Sequence, residues 1–95
     1  MTFDSAIPVV VPGMLRPYVR GAARLVVEAP DVRTALAQLE REQPALHRMV
    51  CDETGRVRRH VNIFVNASNV RDGRGLDTPL APGDVLTILP AVSGG

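Results

Sequence analysis

The chain finishes Leu89-Pro90-Ala91-Val92-Ser93-Gly94-Gly95, and this ending offers one group suited to chemistry, a carboxylate on Gly95. Two glycines in a row carry no Cβ atoms, so they form the narrowest and most adaptable peptide available. Such a stretch can thread a channel in which a side chain would clash, leaving the Gly95 carboxylate free for activation by an enzyme. Ala91, Val92, Ser93 and Gly94 are then the residues that thread into a partner's active site. Chain ends are often merely frayed, so Gly94-Gly95 carries weight only through its surroundings.

The other chemical constellations are weaker. Cys51 with His47 or His60 forms a thiol–imidazole set on paper, but no spacing fixes its geometry. One Cys and two His without a recurring spacing make a poor metal site. Gly73 and Gly75 lack the strand-to-helix setting and the phosphate-gripping residues of a nucleotide loop, and read as turn formers. Arg56, Arg58 and Arg59 read as a solvated loop. The expectation is a protein without catalytic residues, metal or bound cofactor of its own.

Composition narrows the setting. Ninety-five residues suit one compact domain, and 45% apolar with 22% charged residues is a globular balance. A net charge of +1 argues against nucleic acid as a partner. All eleven basic residues are Arg, so no side-chain amine here can accept an isopeptide bond. The single Cys51 rules out an internal disulfide and fits a reducing compartment. No stretch has the length of a membrane span, and Met1-Thr2-Phe3-Asp4 is unlike a signal peptide. A cytoplasmic domain is the expectation, with residues 1–90 folded and 91–95 a flexible tail.

The elements that would position this tail are legible in outline. Ala6 to Val11 is a Val-rich strand closed by Pro12-Gly13, Met14 to Gly21 is a loop, and Leu25-Val26-Val27 is a second strand in a hairpin with the first. Asp31 opens a helix whose Val32, Ala35, Leu36 and Leu39 share one face, and Pro44 ends it, with a short turn holding Leu46 and Met49 after it. Asp52 to Arg59 is a polar loop around Gly55. Across His60 to Asn66 the alternation puts Val61, Ile63 and Val65 on one side. Val85 to Leu89 is the last strand. One helix across one face of a mixed sheet, with the other face in water, is the α+β arrangement of the β-grasp fold.

In that setting the ending gains meaning. Val85-Leu86-Thr87-Ile88-Leu89-Pro90-Ala91-Val92-Ser93-Gly94-Gly95, following Pro82-Gly83-Asp84, resembles the C-terminus of the ubiquitin-like sulfur carriers ThiS, MoaD and CysO. The resemblance extends to Val61-Asn62-Ile63-Phe64-Val65-Asn66, Val70-Arg71 and Leu15-Arg16-Pro17. The ending and the 46–60 segment are most similar to the CysO type. The resemblance implies that a partner related to ubiquitin activators, an adenylyltransferase and sulfurtransferase, uses ATP to adenylate Gly95. Sulfur then displaces AMP to give a thiocarboxylate. A second partner, a sulfur-accepting synthase, consumes it. In the CysO type the acceptor is an aminoacrylate on pyridoxal phosphate, on the way to cysteine; in the others it is a thiazole or pterin precursor.

The resemblance to the ubiquitin-like tail, matched residue by residue from Gly95, implies that Leu86 and Ile88 turn inward and Thr87 and Leu89 outward. With Phe64 outward by alternation, Phe64, Thr87 and Leu89 form an apolar docking patch near the tail root. Three alternatives share the same ending: a protein modifier joined through Gly95 to lysines of targets, a permanent subunit of the MoaD type in molybdopterin synthase, and a non-reactive interaction domain.

Overall fold

The computed structural model describes residues 6–91. Strand β1 (Ala6–Val10) and strand β2 (Arg24–Glu28) pair antiparallel from Ala6↔Glu28 to Val10↔Arg24, the hairpin that the first two apolar runs imply. The connection between them is more ordered than a loop. Gly13–Val19 winds as a 3-10 helix, burying Leu15 and Val19 and leaving Met14 and Tyr18 outside. Its end is closed by Arg20 in the left-handed region (φ 56°), where the side-chain Nε of Arg16 also donates to the Val11 carbonyl at 3.0 Å.

Helix α1 (Val32–Glu42) starts where Asp31 caps it. The Asp31 carboxylate accepts the Thr34 N–H at 2.8 Å, satisfying an amide that the first helical turn leaves without a partner. That hydrogen bond holds the Asp31 carboxyl below its ordinary pKa. Val32, Ala35, Leu36 and Leu39 are all buried. The chain does not simply turn after Gln43, as the sequence suggests. Gln43 leaves the helical region because Pro44 follows it, and Pro44 then begins a second helix, α2 (Pro44–Val50). This seven-residue helix buries Leu46 and Val50, whereas the sequence shows too few residues for a periodic apolar face.

Strand β3 (Val61–Val65) has the alternating burial read from its residues, followed by the short β4 (Ser68–Asn69). Strand β5 (Leu86–Pro90) completes a five-stranded sheet in the order β2-β1-β5-β3-β4. It lies parallel to β1 (Val9↔Leu86, Val10↔Thr87) and antiparallel to β3 along its whole length, from Val61↔Pro90 to Val65↔Leu86. Pro8 sits one residue before the parallel ladder begins, and Pro90 at the end of the antiparallel one, where the sheet tolerates a missing amide.

The helices cover one face. Ile7, Val9, Val27, Val61, Ile63, Leu86 and Ile88 from the sheet join Val32, Leu36, Leu39, Leu46 and Val50 in one core, with aliphatic side chains in the role that aromatics fill elsewhere. This is the β-grasp architecture, made of a mixed sheet with its helices on one side. Among the described residues no helix is long and apolar enough to cross a membrane. Ile88 is fully buried in the central strand. Ile88→Ala is therefore expected to lower stability by about 2–5 kcal/mol in a urea titration, through lost burial and an unfilled cavity.

Candidate functional site at the root of the tail

Val92, Ser93, Gly94 and Gly95, on which the sequence places threading and activation, lie outside the described residues. Their anchor does not. Pro90 stands opposite Val61 at the end of the ladder, and the exposed Ala91 donates its N–H to the His60 carbonyl. The tail thus departs from a strand paired with β3 up to Pro90 and begun between β1 and β3, so the position of its root is set by the sheet.

That root is held from a distance by Arg71. Its guanidinium donates to three carbonyls, those of Arg59 at 2.9 Å, Arg58 at 2.8 Å and Val61 at 2.9 Å. The flanking Asn69 caps the turn that carries Arg71, accepting the Arg71 N–H at 3.0 Å, and its amide donates to Asn62. Arg71 therefore organises the bend that presents the His60 carbonyl to Ala91. Composition alone gives no sign of this, since an Arg on a polar turn usually reads as solvated. Asp84 does similar work at the other end of β5, accepting from the Ala81 N–H at 2.8 Å and from Asn66 at 2.9 Å, and these bonds hold its carboxyl below the ordinary value.

Phe64, Thr87 and Leu89 all lie on the face away from the helices. Thr87 is directly opposite Phe64, and Leu89 is opposite Asn62, diagonal to Phe64. Leu89 is 48% exposed, whereas Phe64 and Thr87 are half-buried. The same face continues across Val10, which is paired with Thr87, to Pro8 and to Val26, which is 59% exposed. The sequence places Val26 in a strand but assigns it no role. β2 is the sheet's edge, and only the pairing register reveals which side Val26 occupies.

A second apolar feature adjoins the root. Pro90 and Ala91 line a hollow of about 190 Å³ with Met14, Leu15, Tyr18, Met49 and His60. These residues come from four separate stretches of chain, and apart from Ala91, read as part of the threading tail, sequence reasoning assigns none of them a role here. The only local sign is the pairing of Leu15 and Val19 with Met14 and Tyr18, one pair for each side of a helical turn.

Cys51 is buried (1% exposed), although the sequence sets it beside a loop. It lines a different, polar hollow with Glu40, His47, Asp52 and Arg58, while His60 stands at the tail root, so only His47 of the two histidines adjoins it. Burial, with Asp52 and Glu40 adding to it, pushes the Cys51 thiol up to about 11. The reactive form of a thiol is the thiolate, which this environment disfavours. Among the described residues no three His, Cys, Asp or Glu side chains are grouped to hold a metal ion. The arginine loop is exposed, with Arg58 donating to the Arg48 carbonyl at 3.0 Å.

The strand that ends in this root lies within a stretch of sequence that matches a known family. The model of the ThiS family matches residues 9–95, a span that includes Gly94 and Gly95. The chain belongs to the ThiS family. The sulfur carrier protein CysO of Mycobacterium tuberculosis is 35% identical over 91 residues, covering 94% of this chain and 98% of that one. A chain of the Amycolatopsis orientalis BexX/CysO complex superposes with a TM-score of 0.84 at 30% identity, over 94% of this chain and 99% of its own. The small archaeal modifier protein 1 of Methanosarcina acetivorans superposes with a TM-score of 0.84 at 29% identity, over 96% and 97%.

Two predictions follow from the geometry. Arg71→Ala is expected to lose about 2 kcal/mol of stability by denaturant titration, and Arg71→Lys to recover little of it, because an ammonium cannot reach three carbonyls in a planar fork. For Cys51, the unfolded chain ionises its thiol at lower pH than the folded one. Above the ordinary value of 9.0 and up to about 11 the unfolded state holds fewer protons, so stability should fall as pH rises through that window. Cys51→Val should remove this part of the decline, and a thiol reagent at neutral pH should label the native protein only as fast as it opens.

Proposed function

We propose that this protein is a sulfur carrier whose Gly95 carboxylate is converted to a thiocarboxylate and handed to a biosynthetic enzyme. The observation that carries this reading is a family match running through Gly94-Gly95, on a body whose final strand is locked in mid-sheet. The chemistry needs little from the carrier. A carboxylate oxygen attacks the α-phosphorus of ATP within an activating enzyme and pyrophosphate leaves, giving an acyl-adenylate with a good leaving group. A sulfur donor then forms a C–S bond as the C–O bond to AMP breaks. The thiocarboxylate sulfur attacks a carbon electrophile in the acceptor synthase, which for a CysO-type carrier would be held by pyridoxal phosphate, and water then cleaves the acyl bond to release the product and return the Gly95 carboxylate.

In this reading the protein is a recycled co-substrate and its partners are the catalysts. Phe64, Thr87 and Leu89 contribute the docking surface on the open sheet face, and Ala91, Val92, Ser93 and Gly94 run into the partner's channel. The buried, high-pKa Cys51 supports a sulfur that arrives from outside the chain. A CysO found in complex with BexX supports a carrier that works bound to a partner protein.

The likeness to a small archaeal modifier protein favours a second reading, in which Gly95 is joined to lysines of target proteins. Both share the adenylation step and diverge at the nucleophile. Intact-mass spectrometry of the protein from sulfur-replete cells separates them. The carrier predicts a mass gain equal to replacement of one oxygen by sulfur, lost when Gly95 is deleted. Unmodified chains together with lysine-linked adducts alone would sink it. Gly94→Val, which adds a branched Cβ at the narrowest part of the tail, should slow loading on the order of 100-fold while leaving the fold intact.

A further inference from the structure

We propose that the hollow on the helix side of the tail root is a docking site for the adenylating enzyme, which grips this carrier from both faces of the sheet. The proposal rests on the reading of Gly95 as the activated carboxylate. From Ala91 to Gly95 is four residues, which span at most roughly 14 Å when fully extended. An active site that surrounds the Gly95 carboxylate must therefore bring its channel mouth up to Ala91 and cover the surface on either side.

The two sides are fixed by strand alternation. Leu89 faces the open side with Phe64, whereas Pro90 shares the parity of the buried Ile88 and lines the hollow. There the enzyme meets Met14 and Tyr18, 55% and 41% exposed on the Gly13–Val19 turn, with the half-buried Met49 of α2 behind them. Exposed large apolar side chains beside a concave apolar surface are the composition of an interface core. Methionine adapts its shape to what it meets, and tyrosine offers a broad apolar ring with a polar tip.

The lining contains no Asp, Glu, Lys or Arg. What fits it is an apolar side chain from the rim of the enzyme's channel, not a charged one. Met49 and His60 come from α2 and from the far end of the polar loop, so the 44–60 segment builds one wall of the hollow. That segment then helps decide which activating enzyme accepts this carrier, a choice that the tail and the open sheet face would otherwise make alone.

The test is ATP–pyrophosphate exchange by the adenylating enzyme of the same organism, with the full chain as substrate. The double variant Met14→Ser with Tyr18→Ser changes exposed side chains only, and its thermal melting should stay close to wild type. It is expected to raise KM for the carrier about tenfold or more, with kcat within about twofold, since it removes docking and leaves the reacting group alone. The ratio of variant to wild-type KM should hold from low to high salt, as apolar contacts are not screened. Glu53→Gln, on the polar loop outside the hollow, should behave as wild type. A wild-type KM in the double variant, or a loss confined to kcat, overturns the proposal. If the wild-type chain itself supports no exchange with an enzyme that turns over another carrier, the adenylation reading fails first and the docking site fails with it.

Discussion

The parallel pairing of the first and last strands is the contact on which the rest of the molecule depends. It joins Val9 and Val10 to Leu86 and Thr87 across nearly the full length of the chain. Without it there is a β1–β2 hairpin and a β3–β5 ladder, each too small to bury its own face. With it there is one sheet broad enough for α1 and α2 to cover. The pairing also puts the last strand in the interior of the sheet, between β1 and β3. A terminal strand at an edge would have one partner throughout, whereas this one is paired with β1 at Leu86 and Thr87 and with β3 as far as Pro90.

That placement gives the tail root a defined position on the body. In the proposed role, Gly95 lies four residues beyond Ala91, so an enzyme that recognises the body also positions the carboxylate. The polar devices around β5 serve the same end. Arg71 ties together the carbonyls of the bend that holds Ala91, and Asp84 closes the turn that leads into the strand. Each is a local contact at one end of the strand.

The body is otherwise chemically quiet. Its one thiol is buried and hard to ionise, its cations are guanidinium groups that do not act as nucleophiles at neutral pH, and the described residues assemble no metal cluster. In the proposed role, where Gly95 is activated as an acyl-adenylate, such a surface leaves few groups that can intercept the carbonyl.

Much of this was legible in the residues themselves. The Asp31 cap, the Val32–Leu39 stripe and the alternation through Val61–Val65 are local patterns, and each element they specify forms as read. The outward side of Phe64 follows from the alternation of its own strand, whereas Thr87 and Leu89 were set outward by the resemblance of the ending to ubiquitin-like tails, and the register of β5 against β3 places all three on one face. Helix α2, the burial of Cys51 and the three-carbonyl grip of Arg71 were not legible. A seven-residue helix has too few turns to show a period, and the other two depend on groups distant along the chain. The chain alone supplied the Gly94-Gly95 motif on which the proposed chemistry rests, and the absence of lysine. Only the tertiary structure decided what surrounds the departing tail, because Met14, Tyr18, Met49, His60 and Pro90 share no local pattern and meet only when the sheet closes.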